Sequence, residues 1–247
     1  SVQVWARATL GLASLANFDP SGARAALLPA MEMAPGDPRV HFAVGLLKIR
    51  EHDLAGARGQ LELAILLDPV NAIYRNYLGR VYRALALRTA NQHNSSVPSR
   101  KLVDMALEQY RVAEAIDPND PTTPQNLAYL LRDENQPIPA TYQALEAQRR
   151  NDRRSVYRSR SVLEKDLASR TVSLAALYAR LGFRQLALNE AGRAIERDPR
   201  SDAAHEIMSR INSRESQSDV TAASEALQAQ LYQPVTRRPI SLSQREM

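Results

Sequence analysis

Residues 38–69 read PRVHFAVGLLKIREHDLAGARGQLELAILLDP, and the reading of this stretch decides the fold. Gly45 is followed twelve residues later by Ala57. Leu61 comes four later, Ala64 three more, and Asp68-Pro69 closes the segment. Apolar residues recur at helical spacing in both halves, so each half reads as an amphipathic helix. Asp53 stands where a side chain caps the start of the second helix. A small residue in each half lets the two helices cross closely, and Pro69 stops the second one.

The spacing recurs along the chain. Gly11 leads to Ala23, Leu27, Ala30 and Pro35; Gly79 leads, after an insertion, to Ala106, Tyr110, Ala113 and Pro118. Ala175 leads to Ala187, Ala191, Ala194 and Pro199. Ala128 leads to Ala140, Ala144 and Ala147, with Asp152 where the proline is due. From Pro35 to Pro69 the chain advances 34 residues, the period of one class of helix–turn–helix repeat. On these residues the sequence resembles the tetratricopeptide repeat (TPR) family. The resemblance implies an all-α, right-handed solenoid of about six helix–turn–helix repeats with an irregular loop insertion. It also implies a scaffold on which unrelated partners bind.

The repeats are expected near 4–37, 38–71, 72–120, 121–154, 162–201 and 202–231, with an extended tail over 232–247. Asp19-Pro20 and Asp37-Pro38 are start signals, and Pro29 should kink the second helix of repeat one. In repeat three the first helix is expected near 71–87 and the second near 100–116. The insert at 88–100 is expected to form no regular helix, because its composition is loop-like. Asn94-Ser95-Ser96 within it matches a glycosylation acceptor, a pattern short enough to arise by chance. Thirteen further residues, SVYRSRSVLEKDL, precede repeat five, and their second half should lengthen its first helix back to about 162. The stretches LELAILLDPVNAIYRNYLGRVY, AIDPNDPT, RSVYRSRSVLEKDLASR, LGFRQLAL and LQAQLYQP are similar to a subgroup of bacterial envelope TPR proteins. That subgroup carries an iron-dicitrate-sensor-like domain, so the resemblance implies a periplasmic or outer-membrane-associated setting. It supplies no catalytic residue. Repeat three carries the long insert, and Gln125-Asn126 stand where the subgroup tends to be aromatic.

Composition limits the alternatives. The net charge of +5 comes almost wholly from arginine, since Lys48, Lys101 and Lys165 are the only lysines. Arginine favours bidentate contacts with carboxylates and phosphates, but the excess is modest and dispersed. Without cysteine there is no disulfide framework and no thiolate metal site. No apolar run reaches the length of a membrane helix. The chain opens on a helix-like segment, VQVWARATLGLASLA, and reads as a fragment or processed product.

No catalytic, cofactor or metal constellation emerges. His41, His52, His93 and His205 lack ligand spacing. There is no phosphate loop and no Gly-x-Ser-x-Gly elbow. The expectation is therefore a protein that is not an enzyme and needs no cofactor. A basic cluster, Arg149, Arg150, Arg153, Arg154, Arg158 and Arg160 with Tyr157 between, has two readings. It contacts a nucleic acid, or it is a solvated loop paired with Asp152, Glu164 and Asp166. The second is preferred, because no distant basic stripe exists to track a backbone. As a third reading, Tyr157 and Arg158 pin the joint between repeats four and five.

The binding surface is expected on the first helices of the repeats, which line the concave face in the TPR fold. Helical spacing places Trp5, Leu12, Phe42, Leu46 and Ile49 there, followed by Asn76, Arg80 and Arg83, then Gln125, Tyr129 and Arg132. The groove should be apolar first and polar-basic later. Helix 38–50 is apolar nearly all round, more than one buried stripe needs, so either a partner or a neighbouring element covers the surplus. Phe42 and Leu46 stand where a carboxylate clamp needs basic and amide side chains. The expected function is capture of a peptide or partner protein, in a bacterial envelope. The rival is self-assembly through repeat stacking, suggested by the apolar opening helix with Trp5.

Overall fold

The structure, a computed structural model, describes residues 2–92, 99–151 and 160–213. Helices pair in sequence: α1 (Val2–Ala16) with α2 (Pro20–Met33), α3 (Pro38–Arg50) with α4 (Leu54–Leu67), and α5 (Ala72–Gln92) with α6 (Arg100–Ile116). Then come α7 (Thr122–Asp133) with α8 (Pro137–Arg149), and α9 (Arg160–Arg180) with α10 (Arg184–Arg197). A further helical run covers 202–213. There is no strand, and no helix long and apolar enough to cross a membrane, among the described residues. We call the first helix of each pair A and the second B.

The start signals act as expected. The Asp19 and Asp53 carboxylates accept from the backbone N–H of Gly22 (2.9 Å) and Gly56 (2.8 Å), and Asp37 accepts from that of Arg39 at 3.0 Å. Helix α2 continues through Pro29 to Met33.

Each A helix crosses its B helix at the small residue of the repeat. A Cβ on Gly11 would lie 2.4 Å from Leu27 Cγ, one on Gly45 3.0 Å from Leu61 Cγ, and one on Gly79 2.4 Å from Tyr110 Cε1. In repeats four and five the small residue is Ala128 or Ala175, and its counterpart on the B helix is Ala144 or Ala191. Glycine thus faces a large side chain and alanine faces alanine, so the crossing stays filled. Burial pushes the Tyr110 phenol well above its ordinary pKa, which keeps it neutral.

The repeats stack through a second stripe on the A helices. Val40, Val44 and Leu47 on α3 are buried against α1 and α2. The corresponding residues Tyr74, Leu78 and Val81 of α5, and Arg170, Leu174 and Leu177 of α9, are buried too. On α1 the same positions are Ala6, Leu10 and Ala13; all three are exposed, Leu10 to 60%.

The insert in repeat three differs from expectation. Helix α5 does not stop near 87 but runs through Gln92, and α6 begins at Arg100. Ala86 and Ala90 continue the buried stripe, Leu85 and Leu102 pack on the core beside Val103, and the Thr89 hydroxyl donates to Leu85 O at 2.9 Å. Good helix formers carrying an apolar face outweigh the loop-like composition that follows them. Part of the insert therefore lengthens the hairpin. Residues 93–98, with Asn94-Ser95-Ser96, lie outside the described residues, as do 214–231 of repeat six and the tail.

Candidate functional site

Contacts between A helices mark the inner side of the array. Helix α1 touches α3 and α5 touches α7, whereas no two B helices approach comparably among the described residues. Three positions on each A helix face this side. Counted from the small residue, they are three before it, one after it and four after it.

The residue one after the small residue is reached by solvent throughout. Leu12, Leu46 and Tyr129 are half-buried and Arg80 is exposed. Four after it come Leu15, which is buried, and Ile49, Arg83 and Arg132, which are half-buried. A cavity of about 530 Å³ opens here. It is lined by Leu12, Leu15 and Ala16 from α1, by Leu46, Ile49, Arg50 and His52 from α3 and its turn, and by Tyr77 and Arg80 from α5. Four expected groove residues, Leu12, Leu46, Ile49 and Arg80, thus meet in one pocket.

The position three before the small residue behaves differently and corrects two expectations. Phe42 is half-buried, its ring 4.9 Å from that of Tyr74 and 5.2 Å from that of Tyr77. Asn76 is buried between repeats. Its amide donates to Thr123 Oγ1 (2.9 Å) and Asp120 Oδ2 (3.4 Å), and its carbonyl oxygen accepts from Asn126 at 3.2 Å. Gln125 is buried as well, and neither amide atom has a hydrogen-bond partner. Asn76 and Gln125 therefore belong to the stacking interface, not to the groove surface. Helical spacing alone cannot see how closely adjacent A helices press together. Trp5, two turns before Leu12 on the same face of α1, is 56% exposed and does not line the pocket.

The arginines divide into two kinds. Arg83 and Arg132 both reach one carboxylate, Asp133, at 2.5 and 3.1 Å, and both stack on the Tyr129 ring, each 5.4 Å from its centroid. The Tyr129 hydroxyl hydrogen-bonds Ser173 Oγ at 3.0 Å. This part of the groove is a closed polar knot with its charge half neutralised. Arg50 and Arg80 have no carboxylate in ion-pair reach among the described residues. Arg50 lies 4.6 Å over the Phe18 ring and Arg80 lies 4.8 Å over the Tyr77 ring.

Sequence reasoning missed Arg50, His52, Tyr77 and Phe18, and the turns explain half of this. Phe18, His52, Asn135 and Gly182 occupy the middle of equivalent three-residue turns, with φ of 60°, 60°, 57° and 83°. In each, the next residue's N–H returns to the A helix: Asp19 to Ser14 O, Asp53 to Lys48 O, Gln136 to Leu131 O and Phe183 to Tyr178 O. Only repeat five places glycine where this conformation favours it. The recurring position was the signal, but Phe and His are not residues that advertise it.

The basic cluster is partly described. Arg149 donates to Glu146 through Nε and Nη2 at 2.8 and 2.9 Å. Arg150 reaches Glu146 at 2.5 Å and Glu114 of α6 at 2.7 Å. Arg149 first, then Arg150, holds the Glu146 carboxyl down at about 2 against burial. Among the described residues the partners of these two arginines are Glu146 and Glu114, and Glu164 pairs with Arg197 at 3.7 Å; Asp152, an expected partner of the cluster, lies outside the described residues. Arg160 is exposed; Arg153, Arg154, Tyr157 and Arg158 lie outside the described residues. Among the described residues the joint between repeats four and five is held by Asn151, whose amide donates to Leu163 O and whose oxygen accepts from Arg170 at 2.7 Å.

No family model matches the chain, and no curated protein matches it. Solved structures do. TTC0263, a thermophilic TPR protein of Thermus thermophilus, superposes with a TM-score of 0.67 at 16% identity, over 85% of this chain and 97% of that one. PilF of Pseudomonas aeruginosa gives 0.61 at 19% identity, over 93% and 92%. MamA of Desulfovibrio magneticus RS-1 gives 0.53 at 14% identity, over 82% and 98%. The fold is the all-α TPR solenoid, and proteins of this fold serve in general as protein–protein interaction scaffolds.

Proposed function

We propose that this TPR solenoid is a non-enzymatic scaffold whose A-helix face holds a linear segment of a partner protein. The observation that supports it is the pocket between α1, α3 and α5, where Leu12, Leu46 and Ile49 form an apolar floor beside Arg80. Apolar side chains reached by solvent on one concave face suit an anchor residue of a partner. A photo-cross-linking residue at Leu46 should trap a discrete partner in cells, and one at the exposed Leu66 of α4 should not. Equal labelling from both positions overturns the reading. The bacterial-envelope setting rests on the sequence resemblance, and fractionation of the source cells tests it.

Self-assembly is the second reading, and α1 favours it. Its stacking stripe, Ala6, Leu10 and Ala13, is apolar and exposed, and Arg7 is the one charged residue in the helix. An exposed apolar stacking stripe is a surface that another repeat can cover. A concentration series by analytical ultracentrifugation, with Leu10→Glu as control, tests it: a monomer at all concentrations overturns it.

A further inference from the structure

The pocket has a chemical polarity that narrows its partner. Its floor is apolar, and its rim carries two guanidinium groups, Arg50 and Arg80. Each is laid over an aromatic ring, Phe18 and Tyr77 respectively. Stacking of this kind fixes the plane of a guanidinium while leaving its N–H edge to donate. Neither has a carboxylate in ion-pair reach among the described residues, whereas Arg83 and Arg132 farther along share Asp133. The uncompensated charge of the groove is therefore concentrated at the apolar pocket.

The hairpin turns supply the remaining wall. Phe18 and His52 hold the left-handed turn position with φ of 60°, as Asn135 and Gly182 do in repeats four and five, so the conformation belongs to the repeat. What differs is the side chain it presents: Phe18 carries the ring under Arg50, and His52 lines the pocket itself.

We infer that the pocket between α1, α3 and α5 takes an acidic peptide, an apolar side chain on Leu12, Leu46 and Ile49 with flanking Asp or Glu carboxylates on Arg50 and Arg80. The inference rests on the groove reading above and adds the partner's chemistry. It also changes which arginines carry recognition: Arg50 and Arg80, not Arg83 and Arg132. Phe18 is a positioning residue that acts through Arg50.

The test uses the full chain and three short, end-capped, fluorescently labelled peptides. One has a central Leu flanked by Glu on both sides; in the second the Glu residues become Gln; in the third the Leu becomes Ala. Anisotropy at low and high salt gives the affinities. The Glu–Leu peptide should bind at least about tenfold more tightly than either control, and salt should weaken it most. The double variant R50Q/R80Q should abolish the preference for Glu over Gln while leaving the thermal melt unchanged. F18G should keep the fold, as its turn favours glycine, and lose part of that preference. Equal binding of the Glu and Gln peptides, or a preference that survives R50Q/R80Q, overturns the inference. Absence of binding by all three peptides also overturns it. Cross-linking from position 46 would still stand or fall separately, so failure of this inference and failure of the groove reading are distinguishable.

Discussion

Repeats one and two and repeats three and four place different chemistry at the same positions of the same fold. One residue after the small residue, the first pair has Leu12 and Leu46, and the second pair has Arg80 and Tyr129. Four after it, Leu15 and Ile49 give way to Arg83 and Arg132. In the first region the side chains leave a cavity lined by apolar groups. In the second, Arg83 and Arg132 close on Tyr129 and Asp133, while Arg80 lies at the edge of the cavity. Backbone geometry sets which side of the array these positions face, and side-chain self-pairing sets which of them stay open to solvent.

The crossings divide the molecule in a related way, and the largest effects are expected there. Gly79→Ala should lower stability by about 1–3 kcal/mol, because the new Cβ meets the Tyr110 ring, which cannot retreat. In a Tyr110→Ala background the same change should be neutral or favourable, since it recreates the alanine–alanine pairing of repeat four. Chemical denaturation of the four proteins of this cycle checks it; equal effects in both backgrounds would break the comparison.

The position three before the small residue offers a pair of opposite outcomes. Asn76→Leu should cost about 1–3 kcal/mol, since it removes the buried hydrogen bonds that the amide makes to Thr123 and Asn126. Gln125→Leu, one repeat later, should stabilise by about 1 kcal/mol, because its buried amide has no partner to lose. Thermal melts that move in the same direction for both would show that the two buried amides are equivalent after all.

A smaller effect sharpens the contrast between the two groove regions. Asp133→Asn removes the charge that Arg83 and Arg132 share. Stability should fall by about 1 kcal/mol, and binding of an acidic peptide should gain a salt-dependent component absent from the parent. An unchanged salt dependence would mean that the Asp133 knot does not limit the groove.

The smallest expected effect lies at the joint of repeats three and four. Glu146 is held at about 2, below its ordinary 4.5. A carboxylate with a lowered folded pKa adds stability that is full above its unfolded value and disappears as pH falls through the folded one. Urea midpoints should therefore decline between about pH 5 and pH 2, and Glu146→Gln should flatten part of that decline. An identical pH profile for the variant would sever the pairing with Arg149 and Arg150 from stability.

The sequence by itself determined the repeat, its hairpins and their crossings. Small residues at fixed spacing, Asp caps and terminal prolines are local signals, and each one constrains a backbone within a few residues of itself. It also marked Leu12, Leu46, Ile49 and Arg80 as sharing one surface, since helical periodicity fixes which residues share a face. Tertiary structure decided which of those residues meet solvent and which are already paired. Whether Asn76 and Gln125 meet solvent depends on how closely α5, α7 and α9 stack, and no spacing within one helix encodes that distance. Whether an arginine is available depends on a carboxylate fifty residues away, as Asp133 is from Arg83. Phe18 and Arg50 meet only because stacking brings the α1–α2 turn of repeat one against the end of α3 in repeat two. Periodicity is a property of neighbours in the chain, and availability for binding is a property of neighbours in space.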